Sequence, residues 1–158
     1  MDDVALANYM AGFDRGPVEA GRVDGLCARL LGVERGTVIW LSEYTLIKLE
    51  ATHGEMNFSH YLHMPSVLLN GFLAKGRHAN LLEFWWLNQD GGFQTVLKAT
   101  RKREVFVKTF HPIHLREARR LYRLARKQDR LIRVQRGTER ILKIEIEGSV
   151  RRGLPVPS

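Results

Sequence analysis

Three consecutive runs of aromatic and β-branched residues constrain the fold of this chain more than any other feature. They cover residues 81–87, 93–100 and 104–110. A glycine-containing segment separates the first two runs, and a short turn at 101–103 separates the second from the third. Runs of this composition joined by such short connections are typical of adjacent antiparallel strands. The sequence therefore predicts an antiparallel β-meander in the middle of the chain.

Helical patterns precede the meander. Apolar residues at helical spacing predict two helices, and the Gly16-Pro17 pair breaks the chain between them because proline is favourable at a first helical position. Ser42 is placed to cap a later helix, which Gly54 terminates just past His53. The predicted elements are helices over 2–13 and 17–31, a strand over 37–41, and helices over 43–52 and 65–72.

After the meander the sequence predicts a further helix over about 114–133, with apolar residues on one side and arginines elsewhere. A last strand is predicted over 141–146, followed by a loose tail over 151–158. The predicted fold is therefore α+β, with N-terminal helices, a central antiparallel β-meander of three to five strands and a basic C-terminal helix. We expect a single domain over 1–150, in which 1–32 form a helical extension and 37–125 form the core.

Positive charge is concentrated in the C-terminal third. The chain has a net charge of +8 and a pI near 10.1. Residues 98–140 hold 15 Lys or Arg against 4 acidic residues, whereas the rest of the chain holds 10 basic and 13 acidic residues. Such a field captures polyanions, and the excess of arginine favours recognition of phosphates and bases. The predicted partner is a nucleic acid; a solvated arginine-rich helix is the structural alternative.

Several function classes have no signal in the sequence. The N-terminus shows neither a charged leader nor a long apolar run, so we expect no membrane association and a cytoplasmic location. No phosphate-binding glycine loop is present. His60 and His63, like His111 and His114, have a zinc-compatible spacing, but few carboxylates lie nearby and Pro112 interrupts the second pair. We therefore expect no metal site and no cofactor.

The remaining candidates are Lys, His and Thr residues, the side chains that metal-free RNA cleavage uses. That reaction needs a base for the 2′-hydroxyl, positive charge for the phosphorane and an acid for the leaving 5′-oxygen. On the predicted helix over 43–52, Thr45, Lys48 and Thr52 share one face. His53 falls at the helix end, where it can turn toward the sheet. A surface lysine and a histidine at a helix C-terminus would show the same pattern.

A second group of such residues lies on the last predicted hairpin. With a two-residue turn at Lys102-Arg103, the side chains of Lys98, Thr100 and Thr109 project from one face of the sheet. A three-residue turn would change this register. The structural alternative to a functional site is that the lysine is simply exposed and that the threonines occur there because threonine favours β-strands.

These motifs also suggest a family. They occur on a capped helix and two strands, with a proline-started helix between, and read Ser42-x-x-Thr45-x-x-Lys48 with His53, Lys98-x-Thr100 and Thr109-Phe110. The set resembles the phage-associated branch of the BECR ribonuclease superfamily, which unites barnase-like, EndoU-like, RelE-like and colicin-type RNases. The resemblance covers about residues 37–125 and implies a compact fold of helices on an antiparallel sheet.

The resemblance further implies RNA cleavage that leaves a cyclic phosphate, in a toxin-like setting with an acidic antitoxin or immunity protein as a partner. The lysines would stabilise phosphate charge, the threonines would position phosphate oxygens, and the histidine would act as general acid or base. The catalytic set carried over in this way is Lys48, His53, Lys98, Thr100 and Thr109. His60 or His111 could equally supply the acid or the base.

The rest of the RNA is expected to follow the basic surface, mainly through contacts to phosphates. The predicted RNA-binding residues are Arg101, Lys102, Arg103, Lys108, His111, Arg116, Arg119, Arg120, Arg123 and Arg126. Trp85 and Trp86 point to opposite faces of their strand, where they fill two cores or one of them stacks on a base.

The predicted function is a metal-independent endoribonuclease of toxin type. Two alternatives stay open, namely a non-catalytic nucleic-acid-binding module of the same fold and a basic structural protein of a mobile element.

Overall fold

The structure is a computed structural model that describes residues 1–12, 16–88 and 91–137 of the chain. Within these ranges both helices and strands are present, so the fold is α+β, as predicted. The helices are α1 (Asp3–Met10), α2 (Gly25–Leu31), α3 (Glu43–Thr52), α4 (Phe58–Tyr61), α5 (Met64–Asn70) and α6 (Leu115–Lys127). The strands are β1 (Val18–Arg22), β2 (Val38–Leu41), β3 (Phe72–Lys75), β4 (Leu81–Asn88), β5 (Gly91–Ala99), β6 (Val105–Ile113) and β7 (Leu131–Arg133).

The seven strands of the described ranges form one mixed sheet in the order β1-β2-β6-β5-β4-β3-β7. Strands β4, β5 and β6 are consecutive antiparallel neighbours, which confirms the predicted meander. Strand β3 also pairs antiparallel with β4, so the meander has four strands, within the predicted three to five. The sheet of the described ranges extends beyond this meander and is mixed, because β2 runs parallel to β6 and further strands extend both edges. Strand β2 corresponds to the strand predicted over 37–41, whereas β1 and β7 lie in segments predicted as helices and β3 begins at the predicted end of another helix.

Strand β1 replaces the first part of the helix predicted over 17–31. Val18 and Ala20 are fully buried and alternate with partly exposed residues, a period of two that a strand requires. Strand β1 pairs antiparallel with β2, so its backbone groups are satisfied within the sheet. Only the second part of the predicted helix forms α2, where the Asp24 carboxylate accepts the Cys27 N–H at 2.8 Å.

Two other predicted helices end early because their last residues join the sheet. The helix predicted over 65–72 corresponds to α5, which stops before the buried Phe72 begins β3. The helix predicted over 114–133 corresponds to α6, after which Asp129 adopts the left-handed region (φ 56°) and the chain enters β7. Because β7 pairs antiparallel with β3, two segments predicted as helix ends meet at one edge of the sheet.

Apolar side chains cover both faces of the sheet. One core joins the sheet to helices from the first half of the chain and includes Leu46 and Leu49 of α3. The other core lies under α6, which contributes Ala118 and Tyr122 among others. Trp85 is buried in the core under α6, and Trp86 packs against the opposite core. The two tryptophans therefore lie on opposite faces, as predicted.

Two predictions, the strand over 141–146 and the tail over 151–158, lie outside the described residues. Among the residues that the structure does describe, no helix is long and apolar enough to cross a bilayer.

Candidate active site

Helix α3 lies along an edge of β6 that β2 leaves open. Strand β2 pairs with only the first two residues of β6, so the carbonyl groups that follow are free to meet α3. The Thr45 hydroxyl donates to the Val107 carbonyl oxygen at 3.0 Å, and the Lys48 ammonium donates to the Lys108 carbonyl oxygen at 3.1 Å. The helix face predicted to carry Thr45 and Lys48 is therefore the face that docks on β6.

The two ends of α3 fix its position further. At the N-terminus the Ser42 hydroxyl oxygen accepts the Thr45 N–H at 3.2 Å, which confirms the predicted cap. At the C-terminus the His53 ring stacks on the His111 ring, with centroids 4.8 Å apart and planes 6° apart. His53 Nδ1 lies 3.6 Å from Glu55 Oε1, and the two form an ion pair when His53 is protonated. The structure thus brings two imidazoles together beside the part of β6 that β2 leaves unpaired.

A β-bulge in β6 determines where its side chains point. Lys108 is the extra residue, across which the pairing of β5 with β6 shifts its register. Val107 and Phe110 both reach the same core, although residues three apart in an unbroken strand face opposite sides. The bulge thereby places Thr109 and His111 on the other face, with Thr109 Oγ1 and His111 Nδ1 3.4 Å apart.

Burial and neighbouring charge lower the pKa of His111. Desolvation is the largest cause, because burial disfavours the charged imidazolium. The charge of His53 acts in the same direction, as does that of Lys48, while the Glu117 and Glu55 carboxylates oppose it. The net effect favours a neutral His111 that can accept a proton near pH 7.

Lys98 and Thr100 lie away from this pair of histidines. Lys98 is exposed on β5, four residues along the strand from Gln94, which is the residue opposite His111. That separation is about 13 Å at the rise of an extended strand. Thr100 accepts the Glu104 N–H through its hydroxyl oxygen at 3.2 Å and so supports the hairpin turn. Of the predicted catalytic residues, His53 and Thr109 therefore contact His111 and Lys48 docks nearby on β6, whereas Lys98 lies two residues along β5 from Val96, the residue opposite Thr109, and Thr100 lies in the turn.

The turn between β5 and β6 has three residues. The prediction that Lys98, Thr100 and Thr109 share one face of the sheet had assumed a turn of two residues. Thr100 and Glu104 close the turn through a backbone hydrogen bond of 2.8 Å, and Arg103 adopts a left-handed φ of 62°. The bulge in β6 offsets the longer turn, so Lys98 and Thr109 still share a face. The turn residues predicted to bind RNA are all exposed, and they are Arg101, Lys102 and Arg103.

His60 has a structural role at the start of α4. Its Nδ1 accepts the Asn57 N–H at 2.9 Å, and its own backbone N–H donates to the Asn57 side-chain oxygen. Of the two histidines left open as an alternative acid or base, His111 is the one that adjoins His53. Across residues 1–12, 16–88 and 91–137, no group of three or more His, Cys, Asp or Glu side chains is arranged to hold a metal ion.

Three of the arginines predicted to bind RNA line an open cavity of about 450 Å³ at the N-terminal end of α6. They are Arg116, Arg120 and Arg123, and the remaining walls are His114 and Glu117. Arg120 binds the Glu117 carboxylate with two hydrogen bonds, of 2.9 and 2.6 Å. Of the three guanidinium groups, two are therefore left without a carboxylate partner among the described residues.

The other predicted arginines of α6 have different surroundings. The Arg126 guanidinium lies over the Tyr122 ring, 5.6 Å from its centroid, and donates to the Tyr122 hydroxyl at 3.2 Å. Arg119 is half-buried. The arginines of α6 therefore do not form one continuous binding surface. Three of them cluster at the cavity, and the others lie at separate positions with different neighbours.

A smaller cavity of about 250 Å³ opens beside His53. It is lined by side chains from α1, α3 and the segment around α4, and its other walls are Tyr9, Met10, Glu50, Gly54, Met56 and Tyr61. Burial is the main cause that raises the pKa of Tyr61 to about 12, so its hydroxyl stays protonated. Sequence patterns gave no indication of this cavity, because its walls come from segments far apart in the chain.

Comparison of the chain with protein-family models, curated proteins and solved structures finds no match. The resemblance to BECR ribonucleases therefore stays a prediction from short motifs. Sequence patterns had placed His111 among the RNA-binding residues. Its position against His53 depends on the docking of α3 and on the bulge in β6, neither of which has a local sequence signal.

Proposed function

We propose that this chain is an endoribonuclease that cleaves RNA with its own side chains and without a metal. The observation that carries the proposal is the stacked His53–His111 pair, together with the Lys48 ammonium, which binds the Lys108 carbonyl near enough for its charge to act on His111. The lowered pKa of His111 favours the neutral imidazole that a general base needs near pH 7. His53 lies next to the Glu55 carboxylate and can serve as the general acid when protonated.

The proposed reaction is an intramolecular transfer at phosphorus. His111 takes the proton of the ribose 2′-hydroxyl as the 2′-oxygen forms a bond to phosphorus. The bond from phosphorus to the 5′-oxygen breaks, and His53 gives its proton to that leaving oxygen. The products are a 2′,3′-cyclic phosphate and a 5′-hydroxyl end, with His111 protonated and His53 neutral. The ring centroids are 4.8 Å apart, so both histidines are close enough to act on one bound phosphodiester.

Lys48 and Thr109 assist this step. The Lys48 ammonium uses one of its three hydrogens on the Lys108 carbonyl, so further donors remain for the oxygens of the phosphorane. Thr109 is within reach of His111 Nδ1 and can orient that ring or a phosphate oxygen. Lys98 and Thr100, which lie nearer the hairpin turn than the histidine pair does, are assigned to RNA binding instead of catalysis.

The exposed basic surface would hold the rest of the RNA. It comprises the hairpin tip at 101–103, Lys108 and the arginines of α6. The same surface suits an acidic inhibitor protein, as expected for a toxin that acts in the cytoplasm. The toxin setting rests on the family resemblance and on this charge.

A non-catalytic RNA-binding module is the second candidate. The hairpin tip favours it, because Arg101, Lys102 and Arg103 are exposed and bind polyanions whatever His53 and His111 do. A basic structural protein of a mobile element would use the same charge. Both alternatives predict that the histidine pair is dispensable for function.

The deciding experiment compares RNA cleavage by the wild type, His53→Ala and His111→Ala in excess EDTA. Loss of a general acid or base costs about a hundredfold or more in rate, so each variant should lose that much while still binding RNA. His78→Ala is the matched control, because His78 is an exposed loop histidine outside the site. Salt-sensitive binding without cleavage by the wild type would instead support the binding module.

A further inference from the structure

We propose that the cavity between Arg116, Arg120 and Arg123 is a discrete binding subsite for a second phosphate of the RNA strand that is cut at the histidine pair. The inference rests on the proposed function and adds to it a defined position for a neighbouring phosphodiester. It also divides the arginines of α6 into those that bind this phosphate and those that do not.

The charges around the cavity favour a single anion. Three guanidinium groups face one carboxylate, that of Glu117, and Arg120 neutralises this carboxylate with two hydrogen bonds. Arg116 makes no side-chain hydrogen bond or ion pair to the described residues, and the Arg123 side chain has only a 3.4 Å bond to the Arg119 carbonyl. Two exposed guanidinium groups are therefore available, and their planar donors suit phosphate oxygens.

The location also fits a neighbouring phosphate. His114, a wall of the cavity, follows His111 by three residues and is the N-cap of α6. Three residues of extended chain span at most about 10 Å, so the cavity adjoins the histidine pair. By contrast, Arg126 lies over Tyr122 and Arg130 is held by Glu83, at positions farther along the chain. A strand that places one phosphodiester at His111 can therefore place the next one in the cavity.

The test uses short substrates that either contain or lack the second phosphate. A dinucleoside monophosphate is compared with forms that carry an extra phosphate at the 5′ end or the 3′ end, and kcat/KM is measured in EDTA. The wild type should prefer one phosphorylated form by about 3- to 10-fold, the range for charge-assisted contacts at an exposed site. The double variant Arg116→Gln, Arg123→Gln should lose this preference. Arg120 is left intact because it holds Glu117.

Lys127→Gln is the matched control, since it removes one exposed charge from the same helix outside the cavity. The control should keep the preference for the phosphorylated form. Equal kcat/KM for all substrates in the wild type, or a preference that survives in the double variant, would overturn the subsite.

A binding measurement distinguishes failure of the proposed ribonuclease function from failure of the phosphate subsite. Fluorescent 2′-deoxy dinucleotides, which contain one internal phosphodiester, are prepared with and without a terminal phosphate. They cannot be cut through a 2′-hydroxyl, so they report affinity alone. If no substrate is cleaved but the terminal phosphate still raises affinity in the wild type and not in the double variant, the subsite stands and the ribonuclease does not. If the terminal phosphate leaves affinity unchanged, the subsite is refuted even where cleavage is observed.

Discussion

The hydrogen bond from Thr45 to β6 should be the main polar anchor of α3, and Thr45→Val tests this. Thr45 is 5% exposed and Val107 is fully buried, so water cannot replace the lost donor to the Val107 carbonyl. Valine has nearly the same shape, and no cavity is added. An unsatisfied buried acceptor costs about 1–3 kcal/mol. We expect a loss of about 2 kcal/mol in the free energy of unfolding, or a fall in Tm of about 6 °C.

Urea unfolding followed by tryptophan fluorescence measures this loss, with Thr52→Val as the matched control. Thr52 lies on the same helix, but its hydroxyl is exposed and donates only to the Lys48 carbonyl within α3. The control should change stability by less than about 0.5 kcal/mol. Equal stabilities of the two variants would refute the view that Thr45 holds α3, and with it His53, against β6.

Two further predictions concern the sheet and the site. Gly92→Ala should prevent folding or strongly destabilise the protein, because the added Cβ would overlap the Trp86 carbonyl oxygen. Circular dichroism and solubility measure this effect. Gly21→Ala is the control and should fold normally in both assays, because its Cβ would meet only a side-chain carbon at 3.9 Å. His111 should titrate below the ordinary value of 6.5 in NMR spectra of the folded protein, and a value at or above 6.5 would contradict its burial. Burial in the folded state disfavours the protonated form of His111. The folded protein therefore has its full stability with respect to this group above about pH 6.5 and loses stability as the pH falls through the lowered pKa of His111.

Local patterns predicted the elements whose signals are contained in one segment. The meander of β4, β5 and β6 and the Ser42 cap of α3 are of this kind, since turn residues and caps act over a few positions. Strand β1 was missed because the helix predicted over 17–31 was extended from its apolar second half back across Val18 and Ala20, although these two residues show the period of two of a strand. Its strand form depends on pairing with β2, a contact that no local pattern contains.

The candidate site could be predicted only in part, for a related reason. Lys48, His53 and Thr109 were identified by residue type, but their meeting depends on how α3 docks on β6. The role of His111 depends in addition on the bulge at Lys108, because a regular strand would point the residues after it to the opposite faces. The separation of Lys98 from this group follows from the same register.

The most direct test of the account is the chemistry of cleavage at one mapped position in an RNA oligonucleotide. The wild-type protein, in excess EDTA, should leave a 2′,3′-cyclic phosphate and a 5′-hydroxyl end, since His111 is proposed to activate the 2′-hydroxyl. An oligonucleotide with a single 2′-deoxy residue at that position should resist cleavage there. Continued cleavage at the deoxy position, or products with 5′-phosphate ends, would contradict the account, because water and not the ribose would then be the nucleophile.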